Sequence, residues 1–255
     1  MKHISTWLVV FALLTLGRAE AALTHAGHVD LELVPAAASI SPGGTIYVAL
    51  HEKIRPGWHT YWRNPGDAGE PPKLGWTLPA GWKAGDIAWP APKRLPVGPL
   101  MDYGYENEVW LPIPVTAPKS APAGGPAALK AAVSILVCKD VCVPEDATLT
   151  LSLPVSPRPA AADNGQIAKA LADAPHGAPL PAAFSVQRGA IKLAAADPAL
   201  HGATAREAYF YPYLSSVIDQ PKPQDVERGR ARHGGRTAGR RPPGVHPGLS
   251  APDRS

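Results

Sequence analysis

The chain has 255 residues, with two cysteines, 31 prolines and a formal net charge of +4. Seven arginines and three acids fall in residues 225–255, so the remainder balances 18 basic against 18 acidic side chains and offers no basic excess for nucleic acid. Proline at this density disfavours long helices and favours strands joined by rigid loops.

Lys2 and His3 precede ISTWLVVFALLTL, an apolar run of 13 residues, and then GRAEAA. A charged start, a short apolar stretch and small residues at Ala19 and Ala21 predict a cleaved signal peptide over residues 1–21. The run is shorter than the roughly 20 residues a membrane-spanning helix needs. The mature chain is therefore expected from Ala22, in a compartment where disulfides persist.

Val29, Leu31 and Leu33 alternate with Asp30 and Glu32, the pattern of a half-buried strand. After the turn SPGG at 41–44, Ile46, Val48 and Leu50 alternate with Tyr47, Ala49 and His51. GWHTYWRNPGDAGEPP reads as an aromatic strand, Trp58 to Arg63, entering a Pro/Gly loop; Trp58 and Trp62 read as core or loop-packing residues. Residues 74–100 read as irregular. Strand patterns return at 109–115, 129–137 and 147–153. Six or more short strands with no earlier helix predict an all-β antiparallel sandwich over residues 22–158.

DNGQIAKALADA, 163–174, reads as a short helix capped by Asp163 or Asn164. FSVQRGAIKLAAA and EAYFYPYLSSVI add strand-like pieces, an incomplete second β segment too short for its own core. Helix and segment together make a linker region over 159–224. Residues 225–255 hold seven Arg, six Gly and four Pro but no Lys, and read as disordered. That composition fits a coding frame shifted near residues 220–225 better than a basic tail for an anionic surface. The nucleotide sequence decides between the two.

Both cysteines lie in SILVCKDVCVPEDATLTLSL, as Cys138 and Cys142. A disulfide needs Cα atoms about 4.4–6.8 Å apart, whereas four extended residues span roughly 13 Å. The chain must turn within Lys139-Asp140-Val141, and strands on both sides make a hairpin with the pair at its tip. Alternation puts Cys138 with Lys130, Ala132 and Ser134, and Cys142 with Thr148, Thr150 and Ser152, so both sulfurs are expected on the outer face. Three intervening residues make a weak staple, because cross-link stabilisation grows with loop length. A short exposed bridge is of the labile or catalytic type. A structural staple stays open. Two cysteines are half a metal site, and His25, His28, His51 and His59 show no ligand spacing with them. No metal or other cofactor is expected.

GWHTYWRNPGDAGEPP, WPAPKRLPVGPLMDYGYENEV and CKDVCVPEDATLTLSL, in this order, resemble the N-terminal periplasmic domain of DsbD-type thiol:disulfide interchange proteins, closest to the ScsB-like branch. The resemblance covers roughly residues 25–155 strongly and 160–222 weakly. It implies an immunoglobulin-like fold and a redox pair Cys138/Cys142. Cys142 would attack the partner's disulfide and Cys138 would resolve the mixed disulfide. It implies a periplasmic protein-disulfide reductase component, passing electrons from a membrane-embedded donor domain to thioredoxin-fold disulfide isomerases or cytochrome c maturation proteins. It further implies that MDYGYE is a cap loop, with Asp102, Tyr103 and Tyr105 shielding the pair, and that His59 and Tyr61 stand beside it. Tyr61 matches a family tyrosine and His59 replaces another. The membrane and thioredoxin-like domains of full-length members do not follow here, so the chain is expected to be a truncated product. The competing expectation is a non-catalytic module that binds copper or a partner protein in copper tolerance.

Overall fold

A computed structural model describes residues 19–161, 164–175, 181–195 and 209–225. The expected signal peptide up to residue 18 and the tail from residue 226 lie outside the described residues. In chain order the elements are β1 (Glu20–Ala21), β2 (Thr24–Ala26), β3 (Val29–Pro35), β4 (Thr45–Ile54), β5 (His59–Gly66), β6 (Lys73–Thr77) and β7 (Lys83–Ala84). There follow β8 (Lys93–Val97), β9 (Leu100–Glu106), β10 (Glu108–Thr116), β11 (Pro126–Cys138), β12 (Cys142–Pro154), helix α1 (Gly165–Asp173), β13 (Ala182–Gln187) and β14 (Ala190–Ala195).

Alternating sequence builds two antiparallel sheets that share one core. One runs β2-β3-β4-β10-β7 and the other β1-β12-β11-β5-β9-β8, with β6 also paired to β11. Leu31, Leu33, Val48, Leu50, Leu111 and Ile113 from the first sheet face Leu129, Val133, Leu149 and Leu151 from the second, all buried. The result is the expected all-β sandwich. Period-two burial is cleanest in β11, whose residues from Pro126 to Ile135 alternate exposed and buried without a break.

Three expectations change. Residues 74–100 are not irregular: they hold β6, β7 and β8. These are short pieces broken by Gly and Pro: β6 and β7 take their pairing from the distant β11 and β10, and β8 from β9 across a tight turn. Residues 209–218 form no strand. Pro212 has no N–H to give a ladder, and the tyrosines dock on the sandwich instead. Tyr103 Oη donates to Gln220 Oε1 at 2.6 Å, and Asn64 Nδ2 donates to the Pro212 carbonyl at 2.7 Å. Finally, MDYGYE is the strand β9, paired on one side with β8 and on the other with β5, rather than a loop.

The helix forms as expected. Asn164 is its cap, its side chain accepting from the backbone N–H of Gln166 and Ile167. Ile167 packs with Ala36 and Ala49 on the outer face of the β4 sheet. The second β segment is the β13–β14 hairpin, which leaves Phe184 and Val186 exposed.

Candidate functional site

The site grows from one long hairpin. β11 and β12 pair through thirteen opposed positions, from Pro126↔Pro154 to Cys138↔Cys142. Lys139, Asp140 and Val141 close the tip, and Lys139 N–H donates to the Val141 carbonyl at 3.0 Å. Direct opposition brings the two cysteine Cα atoms to 4.1 Å, and the sulfurs are bonded. This is the hairpin-tip disulfide that the spacing predicts.

The two sulfurs are not equivalent. Cys142 is exposed, as expected, but Cys138 is only 2% exposed. Parity alone gave the face correctly and missed its cover. At the tip, β5 joins the edge of β11 through the pair Cys138↔His59. Directly paired residues share a face, so His59, and Tyr61 two residues on, lie on the cysteine side of the sheet. Both are buried.

Tyr61 Oη lies 3.7 Å from Cys142 Sγ and 3.2 Å from His59 Nε2. In the disulfide the sulfur can only accept. The arrangement that satisfies both contacts has His59 Nε2–H donating to Tyr61 Oη and the Tyr61 hydroxyl donating to Sγ. Asp102 Oδ2 stands 4.0 Å from His59 Nε2. A polar row thus runs Cys142–Tyr61–His59–Asp102.

A second loop covers this row. Ala68 N–H donates to Asp102 Oδ1 at 3.0 Å, and Met101 N–H donates to Asp67 Oδ2 at 2.8 Å, stitching residues 67–68 to the start of β9. Gly69, at φ +92°, lies flat on Tyr61: a Cβ there would come 2.2 Å from the ring. Asp67 and Gly69 were not among the expected site residues. In sequence they are part of a Pro/Gly loop, and nothing local tells which aromatic that loop covers.

Electrostatics follow from burial. Desolvation lowers the basicity of His59, with Glu106 opposing it, so the ring is held toward neutral. Burial, and then the neighbouring Asp102 carboxylate, pushes the Tyr61 hydroxyl well up, so it stays a donor. Asp102 is raised above the usual carboxylate range by burial, with the Ala68 N–H working against the shift and Asp67 adding to it.

Tyr103 and Tyr105 do not shield the cysteines. In β9 they alternate with Asp102 and Gly104, and the register Thr60↔Tyr105 and Tyr61↔Gly104 puts them on the inner face. Tyr103 meets Tyr209, Tyr211 and Gln220, and Tyr105 Oη donates to the Pro90 carbonyl at 2.8 Å. The structure therefore brings Cys138, Cys142, His59, Tyr61 and Asp102 together and leaves these two tyrosines out. Trp62 is core, as expected, while Trp58 is half-buried and stacks on His28 at 3.7 Å.

Gly104 makes the crossing of β5 and β9 possible. A Cβ at this position would stand 1.9 Å from the Thr60 carbonyl oxygen and 3.2 Å from Tyr61 Cα. Gly104→Ala is expected to cost roughly 1–3 kcal/mol by overpacking. Urea denaturation checks it: an unchanged midpoint would show that the two strands separate freely.

Comparison with known proteins bears on the same region. Residues 30–154 match a family model described as the N-terminal part of thiol:disulfide interchange protein DsbD. No curated protein matches the chain. Among solved structures, the crystal structure of the N-terminal periplasmic domain of ScsB from Proteus mirabilis aligns with a TM-score of 0.50 at 26% identity. The alignment covers 66% of this chain and 63% of that one, so the chain spans just under two thirds of that structure.

Proposed function

Residues 30–154 belong to the DsbD-type N-terminal domains, in a ScsB-like form, and from that premise we propose that the chain is a periplasmic electron relay working through Cys138 and Cys142. The observation that carries this reading is the asymmetric disulfide at the hairpin tip: one sulfur is open to a partner and the other is sheltered beside His59.

The exchange proceeds in two displacements. The Cys142 thiolate attacks one sulfur of the partner's disulfide. A mixed disulfide forms, and the partner's second sulfur leaves as a thiolate. The Cys138 thiolate then attacks Cys142 Sγ, and the partner's first sulfur leaves. Two electrons pass to the partner, which ends as a dithiol, while this chain ends in the bonded state seen here. The Tyr61 hydroxyl, 3.7 Å from Cys142 Sγ, is placed to donate to the thiolate. His59, held neutral, orients that hydroxyl. Asp102 and the 67–69 loop hold His59 and Tyr61 in place.

The partners that fit are periplasmic thioredoxin-fold oxidoreductases, such as a disulfide isomerase or a cytochrome c maturation protein. A membrane-embedded dithiol donor would reduce the pair again. A cleaved signal peptide, as the sequence predicts over residues 1–21, would deliver the chain to this setting. The copper-binding alternative gains no support from geometry: among the described residues no three His, Cys, Asp or Glu side chains gather in a way that could hold a metal.

Trapping tests the proposal. Cys138→Ala is expected to accumulate a mixed disulfide between Cys142 and a thioredoxin-fold protein in periplasmic extract, lost on adding reductant. If nothing is trapped, and the wild-type disulfide also resists glutathione at a potential below about −300 mV, the bridge is a structural staple.

A further inference from the structure

Glu52 lies inside the sandwich, fully buried. On β4 it alternates with Val48, Leu50 and Ile54 on the inner face, while His51 and Lys53 point outward. Its Oε2 accepts from the Thr60 hydroxyl at 2.7 Å, across the gap between the two sheets. Among the described residues its Oε1 has no hydrogen-bond partner. A buried carboxylate with one bare oxygen is costly.

Thr60 sits between His59 and Tyr61 on β5. Its side chain faces inward and theirs face the disulfide, so one residue links the interior to the site. Its carbonyl is packed hard against Gly104, so β5 has little slack toward β9. The hydroxyl's bond to Glu52 is a direct polar tether from the facing sheet to the strand that carries His59 and Tyr61.

We propose that Glu52 is a positioning residue for the exchange site: through Thr60 it holds His59 and Tyr61 over the disulfide, and its ionisation tightens that hold. The inference rests on the exchange reading of Cys142.

The surroundings of Glu52 make ionisation the point at which that hold changes. β3 presents Leu31 beside it and β10 presents Val109. β5 presents Thr60, and β9 presents Tyr105, the titratable group that faces it. The Tyr105 hydroxyl is already donating to Pro90. A charge on Glu52 therefore meets one donor where it needs two or more. Burial raises its pKa to about 7, against the lowering effect of Thr60, so the change of state falls at physiological pH. The ionised carboxylate is the stronger acceptor, so above that pH the Thr60 bond strengthens and β5 is held more firmly to the facing sheet.

The test uses the whole chain in its disulfide form, where neither cysteine titrates. NMR signals of the Tyr61 ring are followed from about pH 5 to 9. The wild type is expected to show an inflection near neutrality that Glu52→Gln lacks. In parallel, dithiothreitol reduces the disulfide in each variant. The rate ratio of Glu52→Gln to wild type is expected near 1 at about pH 5.5 and about threefold or more at about pH 8.5, the added worth of a charge-assisted hydrogen bond.

Thr60→Val cuts the tether at every pH. It is expected to reduce about threefold faster than wild type already at about pH 5.5, and it carries the test should Glu52→Gln fail to fold. Equal ratios at both pH values, or identical Tyr61 titrations in wild type and Glu52→Gln, overturn the proposal and leave the exchange reading standing. A disulfide that dithiothreitol does not reduce in any variant overturns both.

Discussion

Reduced protein treated with limiting iodoacetamide is expected to be alkylated at Cys142 on the order of a hundredfold faster than at Cys138, because thiol reactivity follows the accessible thiolate. Cys142 is open at the tip and its neighbour Val141 is 64% exposed, whereas Cys138 is 2% exposed beside His59. The Tyr61 hydroxyl adds to the difference, since it donates toward Cys142 Sγ. Peptide mass spectrometry after brief labelling reads the ratio directly. The same asymmetry fixes what the two alanine variants do in exchange. On the proposed roles, Cys142→Ala removes the attacking sulfur and is expected to abolish reduction of a partner disulfide. Cys138→Ala keeps the first displacement and loses the second, so it stalls as the mixed disulfide without turnover. Equal labelling of the two cysteines would mean that the tip opens on reduction, and the division of roles would fail with it.

The parts of this site that a reader of the sequence can find are those set by local periodicity. β3, β11 and β12 each bury one face, and β4 and β10 keep an apolar inner face even where α1 covers the outer one, so period two reveals them. The turn at Lys139–Val141 follows from chain reach alone. What the sequence conceals is non-local. Parity assigns Cys138 to the outer face, but its cover comes from β5, some 80 residues earlier. Tyr103 and Tyr105 look like shielding residues because MDYGYE resembles a cap. Their true direction depends on the register His59↔Glu106 between β5 and β9, which neither strand encodes by itself. Gly69 needs the ring of Tyr61 before it means anything. Glu52 is the opposite case. It continues the series Val48, Leu50 on the inner face of β4, and its charge is what disguises the pattern.

The pH dependence of stability is expected to carry the mark of that disguised residue. In the fold Glu52 keeps its proton up to about pH 7, whereas its ordinary value is 4.5. Between those values the folded state holds a proton that the unfolded chain has released, so stability falls as pH rises through the window. The full effect of a shift of this size is about 3 kcal/mol, present below the unfolded value and lost once pH passes the folded one. Asp102, also raised, acts in the same direction. His59 acts in the opposite one: its basicity is lowered in the fold, so its share of stability is lost as pH falls below its ordinary value of 6.5. Wild-type stability alone therefore mixes rising and falling contributions. The difference between wild type and Glu52→Gln isolates one of them, because glutamine can still accept from Thr60 and cannot ionise. Urea unfolding at a series of pH values is expected to show the gap between the two proteins widening in favour of Glu52→Gln by about 3 kcal/mol from about pH 4.5 to 8. Parallel curves would mean that the interior admits the Glu52 charge without penalty, through water or a donor recruited to Oε1.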